Sequence, residues 1–112
     1  MLTLKATNDF QRVRREGRPW SHPLLVLIAS PNGRPHLRIG IAAGKAVGNA
    51  VARNRAKRRL RAAIRAAGAQ LQPGWDIVLI ARPPLVAAPW PRITEALHSL
   101  LRRAALLQSE TS

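Results

Sequence analysis

Between Asn49 and Arg65 the chain reads NAVARNRAKRRLRAAIR, and no other stretch restricts its fold so tightly. Seven of the thirteen residues from Arg53 to Arg65 are basic, yet Ala56, Leu60 and Ile64 recur among them every fourth position. At about 100° per residue, Ala52, Ala56, Leu60, Ala63, Ile64 and Ala67 gather on one side of a helix. Asn54, Lys57, Arg58, Arg61 and Arg65 gather on the other side, and Arg55 and Arg59 form a flank of their own. A disordered basic tail has no use for this spacing. A helix that packs on a sheet while facing a polyanion needs it. Gly48 suits a tight turn, Asn49 an N-cap and Gly68 a C-terminal stop.

Charge narrows the partner. The formal net charge is +14, from 19 basic and 5 acidic residues, and no Asp or Glu occurs between Gly17 and Trp75. No acid stands three or four positions from the helical arginines, so their repulsion goes uncompensated within the helix. Self-repulsion on this scale disfavours a compact state and points to a polyanionic partner. Nucleic acid leads, and an anionic membrane surface is second.

The 112 residues predict one domain over 1–112 with a frayed tail at 108–112, and 46% hydrophobic content suffices for a small core. The absence of cysteine excludes disulfide frameworks, thiol catalysis and the common zinc sites. The start, MLTLKATNDF, carries no secretory signal, and the apolar run 24-LLVLIA-29 is too short to cross a bilayer. A cytoplasmic protein is expected.

Elsewhere the pattern alternates between helix and strand. The stretch 7-TNDFQRVRREG-17 reads as a helix, 23-PLLVLIAS-30 and 37-LRIGIAA-43 as strands, and 31-PNGRPH-36 as the turn of a hairpin between them. After the basic helix, 76-DIVLIAR-82 is a buried strand and 91-PRITEALHSLLRRAALL-107 a helix, with an extra short strand near 18-RPWS-21. The order α-β-β-α-β-α, with that extra strand, predicts an α/β two-layer sandwich on a small mixed sheet.

Nothing in the chain supplies a reacting group. The stretch 40-GIAAGKA-46 departs from a phosphate-binding loop, with three residues between its glycines where four are needed and Ala46 after the lysine. His22, His36 and His98 lie in different elements, and no two of the five acids form a pair, so no catalytic residue and no metal ligand is assigned. One Phe, three Trp and no Tyr do not make a base-stacking sheet, although Phe10 can offer a single platform.

The run 45-KAVGNAVARNRAKRRLR-61, preceded by 38-RIGIA-42 and followed by 76-DIVLIAR-82, resembles the bacterial ribonuclease P protein family. The signature is Arg53-Asn54-Arg55, continued by Lys57, Arg58 and Arg61, and 9-DFQRV-13 with Gly17 fits as well. The resemblance extends from about Leu4 to Leu107. It implies a monomeric protein in a ribonucleoprotein whose large RNA cleaves the 5′ leader from precursor tRNA, with Mg2+ bound mainly by that RNA. It also implies a left-handed β-α-β crossover, as in a domain of a small-subunit ribosomal protein, against the right-handed rule.

By the same resemblance, Lys45, Arg53, Arg55, Arg58 and Arg59 face the catalytic RNA, and Phe10, Arg14, Asn54, Lys57, Arg61 and Arg65 line a cleft for the leader. Three positions depart from the family pattern. Arg14 and Leu27 stand where aromatics are usual, and Ala46 replaces a lysine. Leader binding is therefore expected to lean on charge and to weaken steeply with salt. A ribosomal or rRNA-assembly protein is the second reading. A DNA-reading helix is third, since it would mix Asn, Gln, Ser or Thr among its contact residues.

Overall fold

The structure, a computed structural model, describes residues 2–4 and 7–108. The tail residues 109–112 lie outside them. Five strands, β1 (Leu2–Thr3), β2 (Arg18–Ser21), β3 (Leu25–Pro31), β4 (Arg38–Ala43) and β5 (Trp75–Ala81), form one mixed sheet. Their spatial order is β1-β4-β5-β3-β2. The helices are α1 (Thr7–Glu16), α2 (Ala50–Ala66) and α3 (Trp90–Arg103), with short 3-10 turns at Lys45–Val47, Gly68–Gln70 and Pro83–Ala87.

β5 occupies the centre because both of its faces are apolar. It pairs in parallel with β4 across the crossover through α2, and antiparallel with β3. The hairpin expected between 23–30 and 37–43 therefore does not form, since β5 lies between the two strands. The real hairpin joins the short strand at 18–21 to β3, with Trp20 opposite Leu27. β1 was not anticipated. It pairs with β4 only at Arg38 and Ile39, and the Leu4 N–H donates to the Ile39 carbonyl at 2.8 Å. From Gly40 to Ala43 the outer edge of β4 has no strand beside it among the described residues.

Strand alternation sends side chains to two unequal interiors. Leu25, Leu27 and Ala29 of β3, with Ile77, Leu79 and Ala81 of β5, meet Leu60 and Ile64 of α2 and Leu97, Leu100 and Leu101 of α3. The opposite face carries α1, where Val13 packs with Leu4, Ile28 and Val78. Gly17 follows α1 at a position where a side chain would sit 2.5 Å from the Val13 carbonyl oxygen. Gly68 opens a 3-10 turn, and the C-cap of α2 is Ala67 in an ordinary right-handed conformation.

Candidate nucleic-acid interface

α2 begins as its sequence dictates. Gly48, at φ 139°, takes a backbone turn that side chains disfavour, and the Asn49 side-chain oxygen accepts the Ala52 N–H at 3.0 Å. Ala56, Leu60, Ala63 and Ile64 are buried on the sheet, whereas Asn54, Arg55, Arg58, Arg61 and Arg65 are exposed. Lys45, in the turn leading into the helix, is exposed too, and Lys57 is half-buried. The described carboxylates in ion pairs are Asp9, Glu16 and Asp76, and all of them pair with Arg12, Arg15 or Arg38, never with a cation of α2.

Two arginines differ from their neighbours. Arg59, expected against the catalytic RNA, turns inward, and its Nη1 donates to the carbonyls of Leu85 and Val86 at 3.1 and 3.0 Å. It braces the 3-10 turn against α2, sharing the Leu85 carbonyl with the Ala88 N–H and adding a partner for the Val86 carbonyl. Arg53 is half-buried, and its Nε has neither solvent nor a hydrogen-bond partner, so only the far end of its guanidinium can reach a ligand.

A cleft of about 350 Å³ opens beside α2 at the uncovered margin of β4. Leu4, Ile39, Ile41 and Ile64 give it an apolar floor, Phe10 enters from α1, and Arg61 and Arg65 of α2 make its rim polar. Phe10 reaches it because β4 carries glycine at position 40. A Cβ there would lie 2.5 Å from the Phe10 ring tip. Of the six residues expected to line a leader cleft, Phe10, Arg61 and Arg65 come together here. Lys57 and Asn54 lie on α2 before Arg61 and do not line the cavity, and neither does exposed Arg14. Leu27, considered as a stand-in for a cleft aromatic, is fully buried against α2 and α3 on the opposite sheet face.

The polar network that positions α1 escaped the sequence reading. Asp76 is 0% exposed at the start of β5. Its carboxylate accepts Arg38 Nε at 2.8 Å, Arg38 Nη2 at 2.6 Å and Asn32 Nδ2 at 2.9 Å, and it also accepts Arg12 of α1. Asp9 of α1 adds an ion pair to Arg38 at 3.6 Å. Burial pushes the Asp76 pKa up, but hydrogen bonds from Arg38 and Asn32 and the charges of Arg38 and Arg12 outweigh it and hold the pKa below the ordinary carboxylate range. The Arg38 pKa is raised, chiefly by its hydrogen bond to Asp76. The signal in the sequence was that Asp76 is the sole acid between Glu16 and Glu95.

An acid-free cationic helix beside a cleft with an apolar floor and an arginine rim, both mounted on a small mixed sheet, defines an RNA-binding protein of the ribonucleoprotein kind. A sequence profile of the Ribonuclease P family matches residues 2–105. The chain is 46% identical over 103 residues to the ribonuclease P protein component of Herpetosiphon aurantiacus, covering 92% of this chain and 84% of that one. It is 44% identical to the protein of the same name from a Roseiflexus species, covering 97% of this chain and 90% of the other. The fold superposes on the RNase P protein of Staphylococcus aureus with a TM-score of 0.85 at 29% identity, over 96% of this chain and 99% of that one. The Thermotoga maritima protein gives 0.82 at 29% identity, over 92% and 97%. The chain belongs to the ribonuclease P protein family, and it is a protein component of that tRNA-processing enzyme.

Proposed function

We infer that the protein acts as a binding cofactor of a catalytic RNA, gripping that RNA through α2 and the single-stranded 5′ leader of precursor tRNA in the cleft beside it. The observation that carries this reading is the meeting of Phe10, Arg61 and Arg65 at the margin of β4, next to a helix face whose cations pair with none of the described carboxylates. Arginine forks bind phosphates bidentately, and an aromatic ring over an apolar floor accepts a base from a strand that is not paired. Lys45, Arg55 and Arg58 face outward for the catalytic RNA, and half-buried Arg53 offers only the tip of its guanidinium. Arg59 serves mainly as a brace.

Magnesium fits the RNA better than this chain. The ion needs hard oxygen ligands with room for water, but Asp76 is buried under arginine and asparagine donors, and Asp9 and Glu16 face Arg38 and Arg12. No protein site for it is assigned, and hydrolysis of the phosphodiester belongs to the RNA. The protein's part is to hold leader and catalytic RNA together and to offset their mutual charge repulsion.

Reconstitution tests the reading. The protein with a ribonuclease P RNA should remove the 5′ leader at magnesium concentrations where the RNA alone is nearly idle. Tight binding to ribosomal RNA with leader cleavage unchanged would instead favour an assembly role.

A further inference from the structure

A second basic region lies where β2 borders α3, on the far side of the sheet from β1. Three depressions join there. One is lined by Ser21, His22, Arg82 and Pro83, and shares His22 with a second that holds Arg92 and Glu95. The second shares Glu95 and Ser99 with a third that contains His98 and Arg102. Through these shared residues the three line up along one edge of the fold, from Arg82 past His22 and Arg92 to Arg102, and form a shallow basic groove only in that sense.

Its walls are tied together. Arg103 of α3 donates to the Ser21 carbonyl of β2 at 3.1 Å, and the Arg82 N–H donates to the Leu24 carbonyl at 3.0 Å. The His22 Nδ1 accepts the Leu24 N–H at 3.0 Å, which leaves Nε2 as the ring's free nitrogen. Arg82, Arg92 and Arg102 are exposed, and none pairs with a described carboxylate. Glu95 is one carboxylate against these three guanidiniums. On the same face of the sheet, exposed Arg18 stacks over the Trp20 ring at 5.0 Å and adds a further cation to β2.

We propose that this groove is a second phosphodiester track, which engages an RNA strand at the edge opposite the leader cleft. Arg92 and Arg102 are ten positions apart on α3, about 15 Å along its axis, roughly the rise of four phosphates of one strand. Arginine is the side chain whose fork suits that ligand. The track lets the protein clamp RNA from two sides, with α2 supplying one jaw and the β2–α3 edge the other. This rests on the RNA partnership proposed above. The phosphates come from the catalytic RNA or from the body of the precursor tRNA, and both carry the chemistry the groove recognises.

The test uses the triple variant Arg82→Ala, Arg92→Ala, Arg102→Ala, with Glu95→Gln as a second variant of opposite sign. Affinity is measured across salt in two arms, protein with ribonuclease P RNA, and assembled holoenzyme with precursor tRNA. The triple variant should lower the slope of log affinity against log salt by about 2 in one arm, at roughly 0.7 to 0.9 per phosphate lost, and that arm identifies the RNA. Glu95→Gln should tighten the same arm severalfold. Slopes unchanged in both arms overturn the proposal, and so does an effect of the triple variant confined to sedimentation of the free protein, which would make the edge a protein interface. Arg58→Ala, run alongside, lowers the catalytic-RNA slope whatever the groove does. Its failure would count against α2 as the RNA-binding helix and leave the groove result standing.

Discussion

The two faces of the sheet are held by different forces. Toward α2 and α3, 23 described residues form one buried apolar cluster, while toward α1 the cluster has four. α1 makes up the difference with charge. Asp9 of α1 pairs with Arg38 of β4 and Asp76 of β5 with Arg12 of α1, which fastens the helix to the sheet, while Glu16 pairs with Arg12 inside the helix. Apolar burial is non-directional, so a broad oily face gives stability without fixing a helix to the ångström. Hydrogen-bonded ion pairs are directional, and here they set where Phe10 reaches the cleft. The chain spends its scarce carboxylates on placement and leaves α2 unbalanced for RNA.

The strongest challenge to this contrast is on the oily side. Leu60→Asp puts a charge at a fully buried position and should leave no cooperative thermal melt, since the penalty rivals the whole stability of a domain this size. Leu60→Ala should keep the fold at a cost of about 2–5 kcal/mol in denaturant unfolding. A melt of the Asp variant near that of the parent would mean α2 is not held by its apolar stripe.

Next comes the polar side. Asp76→Ala strands Arg38 and Arg12 in partly buried positions and should cost about 3–5 kcal/mol. The pH dependence follows from the lowered pKa. The stabilisation is complete above the unfolded carboxylate value, about 4, and is lost as pH falls through the lower folded value. Acid unfolding of the parent, followed by circular dichroism below pH 4, should therefore show a loss of stability that Asp76→Asn does not share. Matching acid profiles would show that the clamp contributes nothing.

Smaller effects separate the two proposed RNA sites. Arg58→Ala should weaken binding to the catalytic RNA by about 1–3 kcal/mol in filter-binding or anisotropy titrations, with stability unaltered, because the side chain is exposed. Gly40→Ala should displace the Phe10 ring and weaken leader binding a few-fold while catalytic-RNA affinity holds. Equal losses in both affinities would indicate a general disturbance and would uncouple Phe10 from the leader.

How much of this the sequence disclosed depended on the range of the interaction. The turn of α2 was legible because a 3.6-residue period is local, and Leu60 and Ile64 lie where that period places them. Strand neighbours were not legible. An apolar run such as 76-DIVLIA-81 shows burial on both faces but not which strands flank it, so β5 entered unseen between β3 and β4. Arg59 resembles the other arginines on a helical wheel, and its partners are carbonyls 26 and 27 residues away. The cleft was read in part. Phe10, Arg61 and Arg65 converge, but the glycine that admits the ring and the clamp that aims it depend on three-dimensional proximity.

The bare margin of β4 has a consequence for handling the protein. An unfinished sheet border is a template for another chain's strand, the usual opening for aggregation, and folds commonly guard such borders with cationic side chains. Arg61 and Arg65 stand guard here, so solubility of the RNA-free protein rests on electrostatic repulsion between copies. High salt removes that protection, and purification without RNA is the moment at which precipitation becomes the competing fate.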